Sequence, residues 1–115
     1  MWEAALWTVP MHKLVVYITK QEGMDHEDYL QYWDEEHVPL VKTLPNLVKY
    51  TTSLPANPDS VDHDGIAELY FETREELDEA VNSDTGHAAL ADLVNFTEAD
   101  PDQVIVEETV RLDET

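Results

Sequence analysis

Cysteine is absent from all 115 residues. That removes disulfides, thiolate metal sites and cysteine nucleophiles, while assigning no redox compartment. Glycine is scarce, with 3 residues; no glycine-rich phosphate loop can be built from them, so nucleotide binding has no support. Basic residues are also short. Lys and Arg number 6 against 26 Asp and Glu, which gives a net charge of −20 and a pI near 4.1. Such a surface repels phosphate backbones and anionic membranes alike, so neither nucleic acid nor a membrane is an expected partner. No apolar run is long enough to span a bilayer and no segment reads as a targeting signal, so the expected location is cytoplasmic.

What is present describes a globular protein. Hydrophobic residues make up 43%, with 3 Trp, 5 Tyr and 2 Phe, too many for a disordered chain. The length suits one domain, which at this size buries roughly two thirds of its unfolded surface. The carboxylates are scattered in runs of two or three rather than gathered in a tail. That even spread fits a surface adapted to molar salt (a halophilic composition) better than a docking face for a basic partner. Met1 to Pro10 (MWEAALWTVP) carries Glu3 and no basic flank. It reads as a leader or extension before a single domain over 11–115, although Trp2 and Trp7 offer packing surface.

The order of elements is β-α-β-β-α-β. His12 to Thr19 (HKLVVYIT) predicts a strand with Leu14, Val16 and Ile18 on one face and Val15 and Tyr17 on the other. Gly23 closes a turn, Asp25 reads as an N-cap, and a helix is expected from about His26 to Leu44, ended by Pro45-Asn46. Leu47 to Leu54 and Ile66 to Phe71 predict the second and third strands. Thr73 and Glu76 form a capping box for a helix through about Val81, and a second helical stretch follows from about Thr85 to Asn95. Val104 to Leu112 is the expected last strand. This pattern is that of an α+β, ferredoxin-like sandwich. Both sheet faces carry apolar residues, with Val15, Tyr17 and either Tyr50 or its neighbours on the face away from the helices, so two chains are expected to associate sheet to sheet as a homodimer.

On a helical wheel Tyr29, Leu30, Trp33, His37, Leu40, Val41 and Leu44 fall in an arc of roughly 120°. His37 therefore points inward, among aromatic neighbours. One reading is a core histidine tied to a backbone carbonyl. The other is an imidazole in a low-dielectric pocket, where its pKa is tunable and its neutral form takes a proton. Pro39 cannot donate a backbone hydrogen bond and crowds the carbonyl of Glu35, so the helix is expected to kink or loosen near His37.

These residues carry a resemblance. Tyr29, Tyr32-Trp33, His37, Pro39-Leu40, Pro45, Leu47 and Tyr50, as they stand in YLQYWDEEHVPLVKTLPNLVKY, resemble the signature of the EthD family, named for ethyl tert-butyl ether degradation. The stretches DGIAELYF, GHAALADLVNF and VIVEETVRL are similar too, so the likeness runs from about Met11 to Leu112. It implies a dimeric α+β barrel and a relationship to small cofactor-free enzymes, among them quinone-forming monooxygenases, polyketide cyclases and lactone isomerases. Trp33, His37 and Pro39 match the motif positions.

The expected function is accordingly that of a cofactor-independent enzyme of oxygenase, cyclase or isomerase type, an oxidoreductase in the first case, acting on a hydrophobic aromatic or carbonyl compound. His37 would move the proton, Trp33 and Tyr29 would wall the pocket, and Tyr17, Tyr50 or Tyr70 would offer a hydroxyl to the ligand. The alternative is a non-catalytic dimeric binding or accessory module; haem binding is a third reading and needs an open axial position at a histidine. His26, His63 and His87 lack metal-ligand spacing, and Asp62-His63-Asp64-Gly65 reads as a solvated turn, so no metal is expected.

Overall fold

The computed structural model describes residues 10–98 and 100–115. Trp2 and Trp7, and all of the expected leader except Pro10, lie outside the described residues. Four strands form one antiparallel sheet: β1 (Met11–Ile18), β2 (Lys49–Ser53), β3 (Gly65–Phe71) and β4 (Asp102–Glu108), in the spatial order β2-β3-β1-β4. Helix α1 covers residues 26–41, α2 is Arg74–Val81 and α3 is Asp84–Asp92. Short 3₁₀ turns at Pro58–Ser60 and Leu93–Asn95 complete the set. The helices lie on one face of the sheet, which makes this a ferredoxin-like α+β sandwich.

Period-2 alternation decides what each face receives. In β1, Leu14, Val16 and Ile18 point to the helices and are buried with Ala67, Leu69 and Phe71 of β3. Tyr29, Trp33, Val41 and Leu44 of the α1 region, Leu77 and Ala80 of α2, and Leu93 and Phe96 close this core. The opposite face holds Lys13, Val15 and Tyr17 of β1 beside Glu68, Tyr70 and Ile66 of β3 and Val104 and Val106 of β4. Tyr50 is opposite Leu69, so it belongs to the helix-side face, and its neighbours Lys49 and Thr51 occupy the outer one.

Three elements stop short of their sequence expectation, among them β2, which runs over Lys49–Ser53 rather than Leu47 to Leu54. β4 ends at Glu108 rather than Leu112. Glu108 pairs with Met11, and the next position on β1 is Pro10, which has no N–H to continue the ladder. Helix α1 ends at Val41, followed by a turn in which the Leu44 N–H donates to Val41 O. The second capping signal holds: Thr73 Oγ1 accepts from the Glu76 N–H at 3.1 Å and starts α2.

Pro39 has the expected local effect in a specific form. The middle of α1, Trp33–His37, is a π-helical turn in which the Val38 N–H reaches back to Trp33 O. A regular helix drifts by about 40° every four residues. The wider i→i+5 turn takes back part of that drift, so Tyr29, Trp33, His37 and Val41, each four apart, all stay buried against the sheet.

Candidate functional site

His37 sits on the inner side of that π turn and is 5% exposed. Its Nδ1 lies 2.8 Å from Asp92 Oδ2, at the end of α3. The same carboxylate accepts from Tyr32 Oη at 2.6 Å and from Asn95 Nδ2 at 2.9 Å. Burial alone would push the Asp92 carboxyl up; the hydrogen bonds from Tyr32, His37 and Asn95 together outweigh it and hold the group below the usual aspartate range. Asp92 is thus an anion, and an anion at Nδ1 requires the proton there. His37 Nε2 is left as the free, lone-pair nitrogen.

The ring itself is neutral at pH 7. Burial penalises the imidazolium more than Asp92 favours it, so the pKa falls below the ordinary histidine value. The His37 ring also packs on Phe96, with centroids 4.9 Å apart and planes at 51°. Phe96 is fully buried and touches the rings of Tyr29, Tyr32 and Trp33 as well. It is the support on which the aromatic side of α1 rests.

An apolar cavity of about 110 Å³ lies between sheet and helices, lined by His37, Tyr50, Val16, Leu69, Leu90 and Gln103 among others. That is near the scale of an engineered cavity of roughly 150 Å³ that accepts benzene. His37 and Tyr50 are brought together on its wall. Trp33 and Tyr29 are not part of it: both are buried in the core, with ring centroids 5.7 Å apart. A Cβ at Gly65 would collide with the Trp33 ring and lie 3.0 Å from Tyr29 Oη, so only glycine lets the indole lie on the start of β3. Tyr17 is on the other side of the sheet, its ring 5.1 Å from that of His63, and Tyr70 is on that side too.

Three groups of the site were not singled out from the sequence, namely Asp92, Asn95 and Phe96. Their signal lies within GHAALADLVNF, where one carboxylate interrupts an apolar helix end that has no basic residue to pair with. Among the described residues no three His, Asp or Glu side chains are arranged to hold a metal ion, and no helix is long and apolar enough to cross a membrane.

Fold and site together define a class: a single-sheet ferredoxin-like protein in which a buried histidine on the wall of an apolar cavity is paired with a half-buried carboxylate. The EthD domain profile matches residues 21–100, and the chain belongs to that family. An uncharacterized 11.0 kDa protein encoded in the thcB-thcC intergenic region of Rhodococcus erythropolis is 33% identical over 85 residues, covering 70% of this chain and 81% of that protein. The crystal structure of an ethyl tert-butyl ether degradation family protein from Bacillus halodurans superposes with a TM-score of 0.76 at 23% identity, over 85% of this chain and 98% of that one. A dimeric ferredoxin-like protein of unknown function from Thermobifida fusca gives 0.69 at 13% identity, over 86% and 92%.

Proposed function

We propose that this protein is a small-molecule enzyme that needs no bound cofactor, in which His37 is the general acid/base acting on a small aromatic or carbonyl compound in the cavity. The observation that carries this reading is that His37, a residue of the cavity wall, holds Asp92 at 2.8 Å from its Nδ1. Asp92 fixes the tautomer, so Nε2 takes a proton from carbon next to a carbonyl, or from a phenol, and the imidazolium that forms gains its counter-charge at Asp92. Tyr32 and Asn95 orient Asp92 and take no proton. Oxygenase, cyclase and isomerase chemistry on such compounds can all begin with that step. A porphyrin is far larger than the cavity, which weighs against haem.

The same reading treats 11–115 as one domain, cytoplasmic, and pairs two copies through the outer sheet face. There Val104 is 42% exposed and Tyr17, Ile66 and Val106 are half-buried, and the Thermobifida fusca relative is described as dimeric. Evenly spread carboxylates support a surface suited to high salt.

The test is deuterium exchange at the α-carbon of cyclopentanone in D₂O, followed by proton NMR. The wild type is expected to exceed buffer by at least a hundredfold per bound site, His37→Gln to fall to the buffer rate, and Asp92→Asn to lose at least tenfold. Exchange at the buffer rate in the wild type, with cyclopentanone bound, favours the non-catalytic binding module instead.

A further inference from the structure

Two buried polar groups have no hydrogen-bond partner: the Tyr50 hydroxyl on the cavity wall and Trp33 Nε1–H in the core. The indole N–H is near enough to the Tyr50 oxygen to lower its pKa somewhat against the effect of burial, yet the two fall short of a hydrogen bond. Indole nitrogen only donates, whereas a phenol both donates and accepts. In this pair the Tyr50 oxygen is therefore the acceptor side, and its O–H proton is the one for which the protein supplies no acceptor. Leaving such a group buried is costly, and native exceptions call for a reason. Tyr29 Oη is also unpaired, but it packs at Gly65 and not on the cavity wall. Tyr50 lines the cavity with His37. Burial pushes its hydroxyl up to about 12, so at neutral pH it remains a donor.

We infer that Tyr50 Oη–H, backed by the Trp33 indole, is the hydrogen-bond donor for an ether, carbonyl or phenolic oxygen of the ligand, so the site selects oxygen-bearing over hydrocarbon molecules of the same shape. The donor complements His37 Nε2, which accepts. One oxygen substituent on a small ring or enone then meets a donor and a base within one apolar cavity. This rests on the reading that the cavity takes a ligand, and it deepens that reading by naming the chemical class.

Anisole and ethylbenzene share one shape and differ by an oxygen in place of a methylene, and neither has an acidic proton for His37. Their binding to the full chain is measured by NMR titration or calorimetry, with Tyr50→Phe as the variant. Water holds the anisole oxygen, so a purely apolar cavity prefers ethylbenzene. The wild type is expected to bind anisole at least threefold more tightly, and Tyr50→Phe to shift the anisole-to-ethylbenzene ratio by about tenfold toward ethylbenzene. Ethylbenzene preferred by the wild type, or a ratio that Tyr50→Phe does not change, overturns the inference and leaves the proposed function standing. Failure of both molecules to bind the wild type overturns the two together. The wild-type ratio decides the matter even if the variant fails to fold.

Discussion

The two faces of the sheet are both apolar, but they treat their polar groups differently. On the outer face Lys13 is nearly buried and bridges Glu68 and Glu108, each at 3.0 Å. Thr51 donates to the other oxygen of Glu68, and the ammonium groups of Lys13 and Lys49 each lie 5.0 Å from the centre of the Tyr70 ring. Burial pulls the Lys13 ammonium down, yet its bonds to Glu108 and Glu68 outweigh that and raise its pKa. On the helix side, Tyr50 and Trp33 keep hydrogen-bonding capacity that nothing in the chain uses, and His37 is tied through one nitrogen only. Polar groups that are fully paired hold a structure together. Polar groups left half-paired beside a cavity are the ones available to a ligand.

Substitutions that alter packing rather than chemistry are expected to have the largest effects. Gly65→Ala is expected to cost about 3 kcal/mol, since the new methyl meets the Trp33 ring; urea unfolding followed by tryptophan fluorescence measures it, and a loss below 1 kcal/mol would mean the indole does not lie where it is described. Lys13→Met on the outer face is expected to cost about 2 kcal/mol, because it leaves Glu68 and Glu108 uncompensated on a low-dielectric surface. Adding Glu68→Gln should recover part of that loss, and non-recovery would show that the bridge is not the source.

pH separates the two faces as well. His37 has a folded pKa below its unfolded value, so the unfolded chain takes the proton first. Its stabilising contribution is present above about pH 6.5 and is lost as pH falls through the lower folded value. Asp92, also lowered, adds a second loss at more acid pH, below the ordinary aspartate value. His37→Gln should abolish the first limb in a series of urea melts and leave the second; identical profiles would contradict a neutral buried imidazole. Salt acts on the whole surface. At −20 per chain, the melting temperature should climb between about 0.1 and 1 M chloride as the Debye length shrinks from about 10 to 3 Å, and a flat response would point instead to a basic partner. Tyr50→Phe is expected to change stability least, by under about 1 kcal/mol, since the hydroxyl makes no full hydrogen bond that the variant would lose.

The architecture was legible because its signals are periodic. Strict alternation in β1 and the Thr73–Glu76 cap point to one answer, and the arc of Tyr29, Trp33, His37 and Val41 marks the buried side of α1. The site was legible only in part. His37 announced itself by lying inward beside a proline, but its partner Asp92 is 55 residues away in sequence, and no local pattern reports a contact made through a fold. Tyr50 shows the same limit in another form: alternation says that Lys49, Tyr50 and Thr51 divide between faces, while the pairing of Tyr50 with Leu69 decides which face each receives. Trp33 and Tyr29 were expected to wall the pocket because aromatics on an inward arc can do either job. Gly65 is what turns Trp33 toward the core, by leaving room for its ring.

Asp92 holds His37 with the proton on Nδ1 and leaves Nε2 as a free base. Long-range proton–nitrogen correlation NMR of the ¹⁵N-labelled protein at pH 7 reads that state directly. The expected result is a protonated Nδ1 and a pyridine-like Nε2 in the wild type, an Nε2 signal that moves when phenol is added, and a mixture of tautomers in Asp92→Asn. A protonated Nε2 in the wild type, or a doubly protonated ring, would contradict it.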